Sequence, residues 1–344
     1  GIDPLEVIDQ YGADALRFTL ATGNSPGNDM RFSDERVQAS RNFCNKIWNA
    51  SRFIQMNLTI DKDKAVELPS DLAIEDKWII SKFNTLVADV TRNIDQYELG
   101  LAAAKLNDFI WENFCDWYIE IAKTRLQTGD ENVQKVLCYV LSGAMQLLHP
   151  FMPFITETIW QALPHEGPSV MVSAWPEYKT EWNFEQEEYA VETIKEAVRA
   201  IRNVRTSMNV APSKKAKVYV VSENQKLLQI FEHSKVFFAT LGYASEVFLQ
   251  SDKQGIADDA VSVVIPEASI YIPFAELVDI AKEIERLQKE EERLTRELAR
   301  VTGMLSNEKF VSKAPEAKIN EEKAKLEKYT QMMEQVKARL AQLK

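Results

Sequence analysis

Cysteine and histidine are scarce in this sequence, with three of each among 344 residues. Cys44, Cys115 and Cys138 stand alone, so they form neither the close pairs of a zinc site nor the even count of a secreted disulfide framework. The histidines also lie far apart, without metal-ligand spacing: His149, His165 and His233. We therefore expect three reduced, buried thiols and no metal site.

Long apolar runs are missing as well. No window approaches the roughly 18 uninterrupted apolar residues that a membrane-spanning helix needs. The sequence also does not open with a charged segment followed by an apolar one, as a secretion signal does. These two absences predict a cytoplasmic protein that does not enter a membrane.

Positive charge is short overall, but the shortage is uneven. The formal net charge of −11 argues against nucleic-acid binding when it is averaged over the chain. Residues 276–344 hold 15 Lys and Arg against 14 Asp and Glu, a net of +1, which leaves 26 against 38, a net of −12, in residues 1–275. The relative surplus of positive charge therefore lies at the C-terminus.

Signatures of a self-contained active site are absent too. The loop "TGNSPGND" at 22–29 is not followed by the Lys-Ser/Thr of a phosphate-binding loop. Glu112, Asp116 and Glu120 form an acidic row that could mimic paired catalytic carboxylates. No histidine is near them in sequence and no Gly-rich loop shapes a pocket, so a solvated face is the favoured interpretation. We predict no catalytic residue in this chain.

What the chain does have is helical periodicity. Apolar spacing predicts helices at 12–21, 41–54, 74–96, 99–126, 132–148 and, after the prolines of "HPFMPF", a short helix to about 162. Four or five amphipathic helices in succession form a bundle. Further helices are predicted at 186–206 and 224–241, and "AKVYVV", "EVFL", "AVSVVI" and "SIYIPF" are typical of short strands, the last two joined as a hairpin.

The last part of the chain has coiled-coil spacing in two stretches separated by Pro315. The seam residues are Leu277, Ile280, Ile284, Leu287, Leu294, Leu298, Val301 and Leu305, then Ile319, Leu326, Tyr329, Met333, Val336, Leu340 and Leu343. Glu291 and Glu322 interrupt it. The predicted fold class is mainly α: a helical bundle, a small α+β domain and a C-terminal antiparallel coiled-coil hairpin.

The stretch "RNFCNKIWNASRF" at 41–53 has an unusual polar side. Phe43, Ile47, Ala50 and Ile54 form the apolar stripe. On the exposed flank stand Asn42, Asn45, Asn49 and Arg52, with Lys46 and Phe53 beside them. Asparagine can pair with a base edge, the cations can meet phosphates and Phe53 offers a stacking surface, so recognition of unpaired bases is one interpretation. An ordinary solvated flank is the other, and this stretch alone does not decide between them.

Two further basic groups allow RNA contact. At the turn of the hairpin, Lys309, Lys313 and Lys318 surround Phe310, which suits a folded RNA surface, although coiled-coil solubility is an alternative. Phosphate contact and a solvated face stay equally open for a second basic set: Lys195, Arg199, Arg202, Arg205, Lys214, Lys215 and Lys217.

Several long stretches together resemble the C-terminal half of bacterial valyl-tRNA synthetases. They are "GIDPLEVIDQYGADALRFTLATGNSPGNDMRF", "RNFCNKIWNASRF", "FCDWYIE", "LHPFMPFITETIW" and "LSNEKFVSKAPEAKINEEKAKLEKY". The resemblance covers essentially the whole chain. Isoleucyl enzymes typically end in a cysteine-rich zinc module, which three scattered cysteines cannot supply.

The resemblance implies four parts. Residues 1–35 would be a stem-contact segment, 36–175 an anticodon-binding helical bundle, 176–275 the small α+β domain and 276–344 a tRNA-binding hairpin. It places the polar flank of α-helical residues 42–53 at the anticodon, with Lys46 and Phe53 as the best positions, and the hairpin at the tRNA elbow. The partners implied are valine tRNA and the catalytic half of the same enzyme, and we expect a monomer.

The family's ATP-binding motifs and editing domain do not appear in the sequence. The parent enzyme is an ATP- and magnesium-dependent ligase, but we expect no cofactor in this chain and leave its status as an enzyme open. A coiled-coil scaffold or interaction protein is the alternative function. A self-contained enzyme is a weaker one.

Overall fold

The structure is a computed structural model that describes residues 2–22, 32–62, 64–277, 280–307 and 315–343. The chain divides into two compact units, residues 1–197 and 198–344. None of the helices in these described ranges is long and apolar enough to cross a membrane.

The first unit begins with two short helices. α1 (Pro4–Tyr11) and α2 (Ala13–Ala21) pack on α3 (Asp34–Met56) through Val7, Leu16 and Val37. The buried carboxylate of Asp14 accepts hydrogen bonds from the backbone N–H groups of Phe154 and Ile155, at 3.3 and 2.7 Å. It thereby caps the helix that follows the prolines of "HPFMPF" and ties the start of the chain to the bundle.

The bundle consists of α3 and a series of later helices. These are α4 (Ile74–Asp95), α5 (Leu99–Asp108), a π-helix (Phe109–Tyr118), α6 (Ile119–Gln127), α7 (Glu131–Leu148) and α8 (Pro153–Trp160). The expected helix at 99–126 is thus one continuous rod with a π-helical middle. Its expected core residues are all buried: Ile110, Phe114, Trp117 and Ile121.

The second unit begins inside α9 (Glu185–Ser207) and contains a four-stranded sheet in the order β2-β1-β4-β3. The strands are β1 (Ala216–Val221), β2 (Ala244–Gln250), β3 (Val261–Ile265) and β4 (Ala268–Ile272). β1 is parallel to β2 and antiparallel to β4, and β3 and β4 form the expected hairpin.

The helix expected at 224–241 is two helices, α10 (Gln225–His233) and α11 (Lys235–Leu241). Ser234 lies between them and is buried, and its N–H bonds the Phe231 carbonyl to close the first helix. After β4 comes the short helix α12 (Phe274–Leu277), whose Glu276 carboxylate accepts a 2.5 Å hydrogen bond from the backbone N–H of Lys217.

Two long helices complete the second unit, α13 (Ile280–Leu305) and α14 (Glu316–Leu343). Arg293 of α13 interacts electrostatically with Tyr329 of α14, and Arg300 interacts with Glu322. The two helices therefore run in opposite directions. The expected antiparallel pairing is confirmed. Five of the expected seam residues are buried between the helices: Leu287, Leu294, Val301, Met333 and Leu340.

Candidate nucleic-acid interface

The flank of α3 begins from a well-capped helix. Ser33 accepts a hydrogen bond from the Arg36 N–H. Asp34 and Glu35 place negative charge in the first turn, where it interacts favourably with the helix dipole. Phe43, Ile47 and Ile54 are fully buried as expected, whereas Ala50 is half-buried and Ser51 takes its place in the stripe. Ser51 satisfies its hydroxyl by donating to the Trp48 carbonyl at 2.8 Å.

The predicted amide face is exposed. Asn42, Asn45, Asn49 and Arg52 all face solvent, and Asn42 accepts a 3.0 Å hydrogen bond from Gln38. Within the described ranges, the side chains of Asn45, Asn49 and Arg52 form no hydrogen bond or ion pair with the protein. Their donors and acceptors are therefore available to a ligand.

Lys46 and Phe53 sit differently from these four residues. Both are half-buried, at the edge where α3 meets the π-helix and α6. The Lys46 ammonium forms an ion pair with Asp116 and lies 5.3 Å from the centroid of the Trp111 ring. The Phe53 ring lies under the Lys123 ammonium at 5.6 Å, and Lys123 also pairs with Glu120 at 2.6 Å.

The acidic row interpreted as a solvated face therefore has a more specific arrangement. Asp116 and Glu120 are partly exposed, with 44% and 41% of their side-chain surface accessible, but each holds a lysine that lies over an aromatic ring. Glu112 is exposed. Two of the three carboxylates in the row thus form ion pairs with lysines.

The π-helix explains how this edge is built. Its N–H groups bond five residues back, so residues five apart approach one another on one side. In an α-helix with 3.6 residues per turn, Trp111 and Asp116 would point about 140° apart. The π-helical turns let both side chains meet Lys46 of α3.

A buried ionic cluster fixes the end of the π-helix. The fully buried carboxylate of Asp76 accepts hydrogen bonds from the Tyr118 hydroxyl at 2.7 Å and from Arg125 at 2.8 Å. Arg125 also binds Glu75 at 3.0 Å and Asp130 at 2.8 Å. Burial and the neighbouring Asp76 raise the pKa of the Tyr118 phenol well above its usual value, so Tyr118 stays a donor.

Sequence reasoning missed three residues at this surface, and it missed the lysine partners of two carboxylates that it had named. Trp48 projects from the flank with 41% of its surface exposed, beside Asn45 and Arg52. Trp111, Lys123 and the carboxylate partners come from elements far from α3 in the sequence. A tryptophan within the polar face of a helix could have pointed to Trp48. No sequence pattern indicated that Trp111 or Lys123 lies at this surface.

The basic set around α9 is not a uniform phosphate-binding face. Lys195 is buried, 4.9 Å from the Trp78 ring centroid, and bonds Asn113 at 3.2 Å. Arg205 is buried too and donates to the carbonyls of Ala211 and Lys214. Both cations are engaged in local contacts inside the protein. Phosphate contact is therefore left only for the other members of this basic set.

The structure describes one of the four residues predicted at the hairpin tip. Lys309, Phe310 and Lys313 lie outside the described residues. Lys318 is exposed in the first turn of α14, and its ammonium lies 3.7 Å from the Glu321 carboxylate.

Comparison with known proteins gives two family matches. A family model described as the anticodon-binding domain of tRNA ligase matches residues 76–220, and one described as the valyl tRNA synthetase tRNA binding arm matches residues 279–344. The bundle helices from α4 onward fall in the first match, and α13 and α14 fall in the second.

Whole-chain relatives agree with these matches. The chain is 49% identical over 348 residues to the valine-tRNA ligase of Clostridium tetani, and 42% identical over 347 residues to that of Bacillus cereus. Each alignment covers 100% of this chain, α3 included, but 39% of the relative. A solved structure of an Agrobacterium radiobacter LeuRS in a ternary complex has a TM-score of 0.43 and 21% identity, over 53% of this chain and 21% of that one.

The chain therefore spans about two fifths of the length of the curated relatives it matches. The chain belongs to the valyl-tRNA synthetase family and corresponds to the C-terminal part of its bacterial members, with the anticodon-binding domain and the tRNA-binding arm.

Proposed function

We propose that this chain binds valine tRNA and orients it for aminoacylation by the catalytic part of the same enzyme. The anticodon loop would lie on the α3 flank, which comprises Asn42, Asn45, Lys46, Asn49, Arg52 and Phe53. The tRNA elbow would contact the segment between α13 and α14 and the start of α14, at Lys309, Phe310, Lys313 and Lys318. Contacts far from the reacting atoms can still raise the chemical rate, because they position the substrate.

The observation that carries the proposal is the unpaired polar face of α3. Three polar side chains, Asn45, Asn49 and Arg52, are exposed without partners among the described residues, and exposed Trp48 lies among them. Asparagine lowers helix stability, so amides at these positions are unfavourable for the helix itself. Amides, a guanidinium and aromatic rings on one face match the edges, phosphates and ring faces of unstacked bases.

The four-part division proposed from sequence is retained with this function. Residues 1–35 would contact the tRNA stem, 36–175 the anticodon and 276–344 the elbow, and residues 176–275 would connect them. We further propose that the chain acts in the cytoplasm and as a monomer. The catalytic part of the enzyme would supply the ATP, magnesium and editing sites.

A coiled-coil scaffold is the alternative function. It would use the apolar seam of α13 and α14 to bind other helices. Leu294 and Val301 are fully buried within the antiparallel pair, so an intermolecular coil would have to separate the two helices first. This cost favours the tRNA-binding proposal.

Filter binding of valine tRNA and of an unrelated tRNA tests the proposal. We expect the purified chain to bind valine tRNA more tightly, and to lose the difference when the anticodon bases are replaced. Equal binding of both tRNAs would reject anticodon recognition. Self-association without any tRNA affinity would favour the scaffold.

A further inference from the structure

Two similar groups of side chains line the edge where α3 meets the π-helix and α6. In each group a carboxylate holds a lysine whose ammonium lies over an aromatic ring. The first group is Lys46, Asp116 and Trp111, and the second is Lys123, Glu120 and Phe53. They differ in one respect: Lys46 and Asp116 come from different elements, whereas Lys123 and Glu120 are three residues apart on α6.

Trp111 is a fixed ring at the end of an aromatic series. Phe18 and Phe43 are buried with their centroids 5.1 Å apart, and Trp111 stacks on Phe43 at 6.5 Å with an angle of 18° between the rings. Trp111 itself is half-exposed. Its orientation is therefore set by the core, while part of the ring reaches the surface beneath Lys46.

The contacts that hold Lys46 over this ring are weak ones. An exposed ion pair contributes at most about fivefold to an equilibrium constant, and 31% of the Lys46 side chain and 44% of the Asp116 side chain are accessible. Stacking of an RNA base on an aromatic side chain contributes about fivefold to 150-fold. An unpaired base can therefore displace the ammonium from Trp111.

The ion pair with Asp116 also bears on which RNA Lys46 can bind. A lysine without a carboxylate partner would bind any nearby phosphate, because the phosphate contribution does not depend on sequence. Pairing with Asp116 offsets part of this attraction, because the carboxylate and the phosphate compete for the same ammonium group. The π-helix is what brings the carboxylate and the ring to the same lysine, and π-helical turns are frequent at functional sites.

Building on the tRNA-binding function proposed above, we propose that Trp111 is a base-stacking surface that Lys46 covers in the free protein. Asp116 is the positioning residue that holds Lys46 there. An RNA that supplies both an unpaired base for Trp111 and a phosphate for Lys46 opens the site. An RNA that supplies only phosphates leaves it closed.

The ring is tested by two substitutions of Trp111. Trp111→Leu keeps an apolar side chain beside Phe43 but has no aromatic face, whereas Trp111→Phe keeps one. We expect Trp111→Leu to bind valine tRNA about tenfold more weakly with an unchanged dependence of log affinity on log salt, because a stacked base releases no counterions. Trp111→Phe should stay within about threefold of the parent. Equal affinities of the Leu, Phe and parent chains would overturn the stacking role.

The carboxylate is tested by Asp116→Asn, with Asp116→Glu as the rescue. Freed Lys46 should bind phosphate, so Asp116→Asn should bind an unrelated tRNA more tightly and steepen its salt slope by about 0.7 to 0.9. The preference for valine tRNA should fall, and Asp116→Glu should restore it. Glu120→Gln is the matched control, because Glu120 holds a second lysine, Lys123, over Phe53 from the same helix. We expect a smaller change in the salt slope and in the preference for valine tRNA than Asp116→Asn produces.

The outcomes separate this inference from the function on which it rests. A parent chain that does not bind tRNA overturns both. In another outcome the parent chain prefers valine tRNA, and Asp116→Asn has the same salt slope and the same preference. This result upholds the proposed function and overturns the role of Asp116. Circular dichroism of each variant checks that the helix content is unchanged.

Discussion

At the scale of single residues, the pairing of Lys46 with Asp116 shows what the sequence could and could not reveal. The amphipathic pattern correctly predicted that Phe43 and Ile47 are buried and that the asparagines of α3 are exposed. It placed Lys46 on the exposed flank but did not reveal its ion pair, since nothing in local spacing points to a partner 70 residues further along the chain. Contacts between distant segments depend on tertiary packing, which periodicity does not encode.

A first prediction concerns Phe53. Phe53→Ala should weaken binding of valine tRNA by about 1 to 3 kcal/mol through loss of one stacked base. Phe53→Leu separates stacking from volume, because it keeps an apolar side chain under Lys123 without an aromatic face. Filter binding at one salt concentration measures the effect, and circular dichroism should show unchanged helix content in both variants. If both bind as tightly as the parent, Phe53 is only part of an ordinary helix edge.

A second prediction concerns the ionic cluster at the end of the π-helix. Arg125→Met leaves the carboxylate of fully buried Asp76 without its cation, so it should lower the free energy of unfolding by about 3 kcal/mol. Tyr118→Phe removes one hydrogen bond to Asp76 and should cost about 1 to 2 kcal/mol. All seven tryptophans lie before residue 198, so urea titration followed by tryptophan fluorescence reports on the first unit.

The matched control for that cluster is Arg92→Met. Arg92 pairs with Asp89 at 2.5 Å, but 57% of its side chain is exposed, so its loss should hardly change the urea midpoint. An equal shift for Arg125→Met and Arg92→Met would show that the buried cluster contributes no more than a surface ion pair.

At the scale of helices and strands, the elements themselves were largely predictable and their local irregularities were not. Helix and strand positions followed from apolar spacing, and the β3-β4 hairpin from its turn. The π-helix was missed because Ile110, Phe114 and Trp117 satisfy α-helical core spacing equally well. The parallel pairing of β1 with β2 was also not predicted, since strand order depends on contacts across α10 and α11.

A third prediction concerns the close approach of α4 and α7. A Cβ atom at Gly143 would collide with the Phe83 ring, which packs against Phe109 at 5.9 Å and Tyr139 at 6.0 Å and cannot easily turn away. Gly143→Ala should therefore lower the free energy of unfolding by about 1 to 3 kcal/mol, although alanine is the better helix former. Gly143→Ala combined with Phe83→Leu should recover part of the loss. Urea titration followed by tryptophan fluorescence measures both, and a stabilised Gly143→Ala would contradict the packing argument.

A fourth prediction concerns Glu322 in α14. Its position was expected to be apolar, and its side chain is 2% exposed, with one carboxylate oxygen bonded to Lys325 and the other without a hydrogen-bond partner in the part of the chain that the structure describes. Burying a carboxylate that is only half satisfied is unfavourable. Glu322→Leu should therefore stabilise the pair of helices by about 1 to 2 kcal/mol.

Hydrogen exchange of the α13 and α14 amides measures that change directly, because it reports on local opening. Glu321→Leu is the control, since Glu321 is exposed on the neighbouring face and should give little change. Slower exchange in the Glu322 variant than in the Glu321 variant is the expected result. Faster exchange would mean that the carboxylate stabilises the register of the two helices rather than opposing their pairing.

At the scale of the whole chain, charge is distributed in a way that favours RNA binding by the last part. An RNA polyanion that approaches residues 1–275, with a net charge of −12, needs locally basic contacts, and residues 276–344 have a net charge of +1. A fifth prediction follows: a chain that ends at Leu277 should bind valine tRNA more weakly and with a flatter salt dependence. The truncation keeps Glu276 and buried Leu277 because both hold α12 to the sheet.

Substitutions of the lysines at the hairpin tip test the same prediction at single positions. Each lysine that contacts a phosphate contributes about 0.7 to 0.9 to the slope of log affinity against log salt. Replacing Lys309, Lys313 and Lys318 together with alanine should lower the slope by about 2.1 to 2.7 units if all three touch phosphate. Phe310→Ala should instead reduce affinity with little change in slope. Lys328→Ala, a single lysine farther along α14, serves as the control for charge alone. Identical affinity and slope for the intact, truncated and triple-alanine chains would mean that the α13-α14 pair does not touch the tRNA, and would support the scaffold function for it.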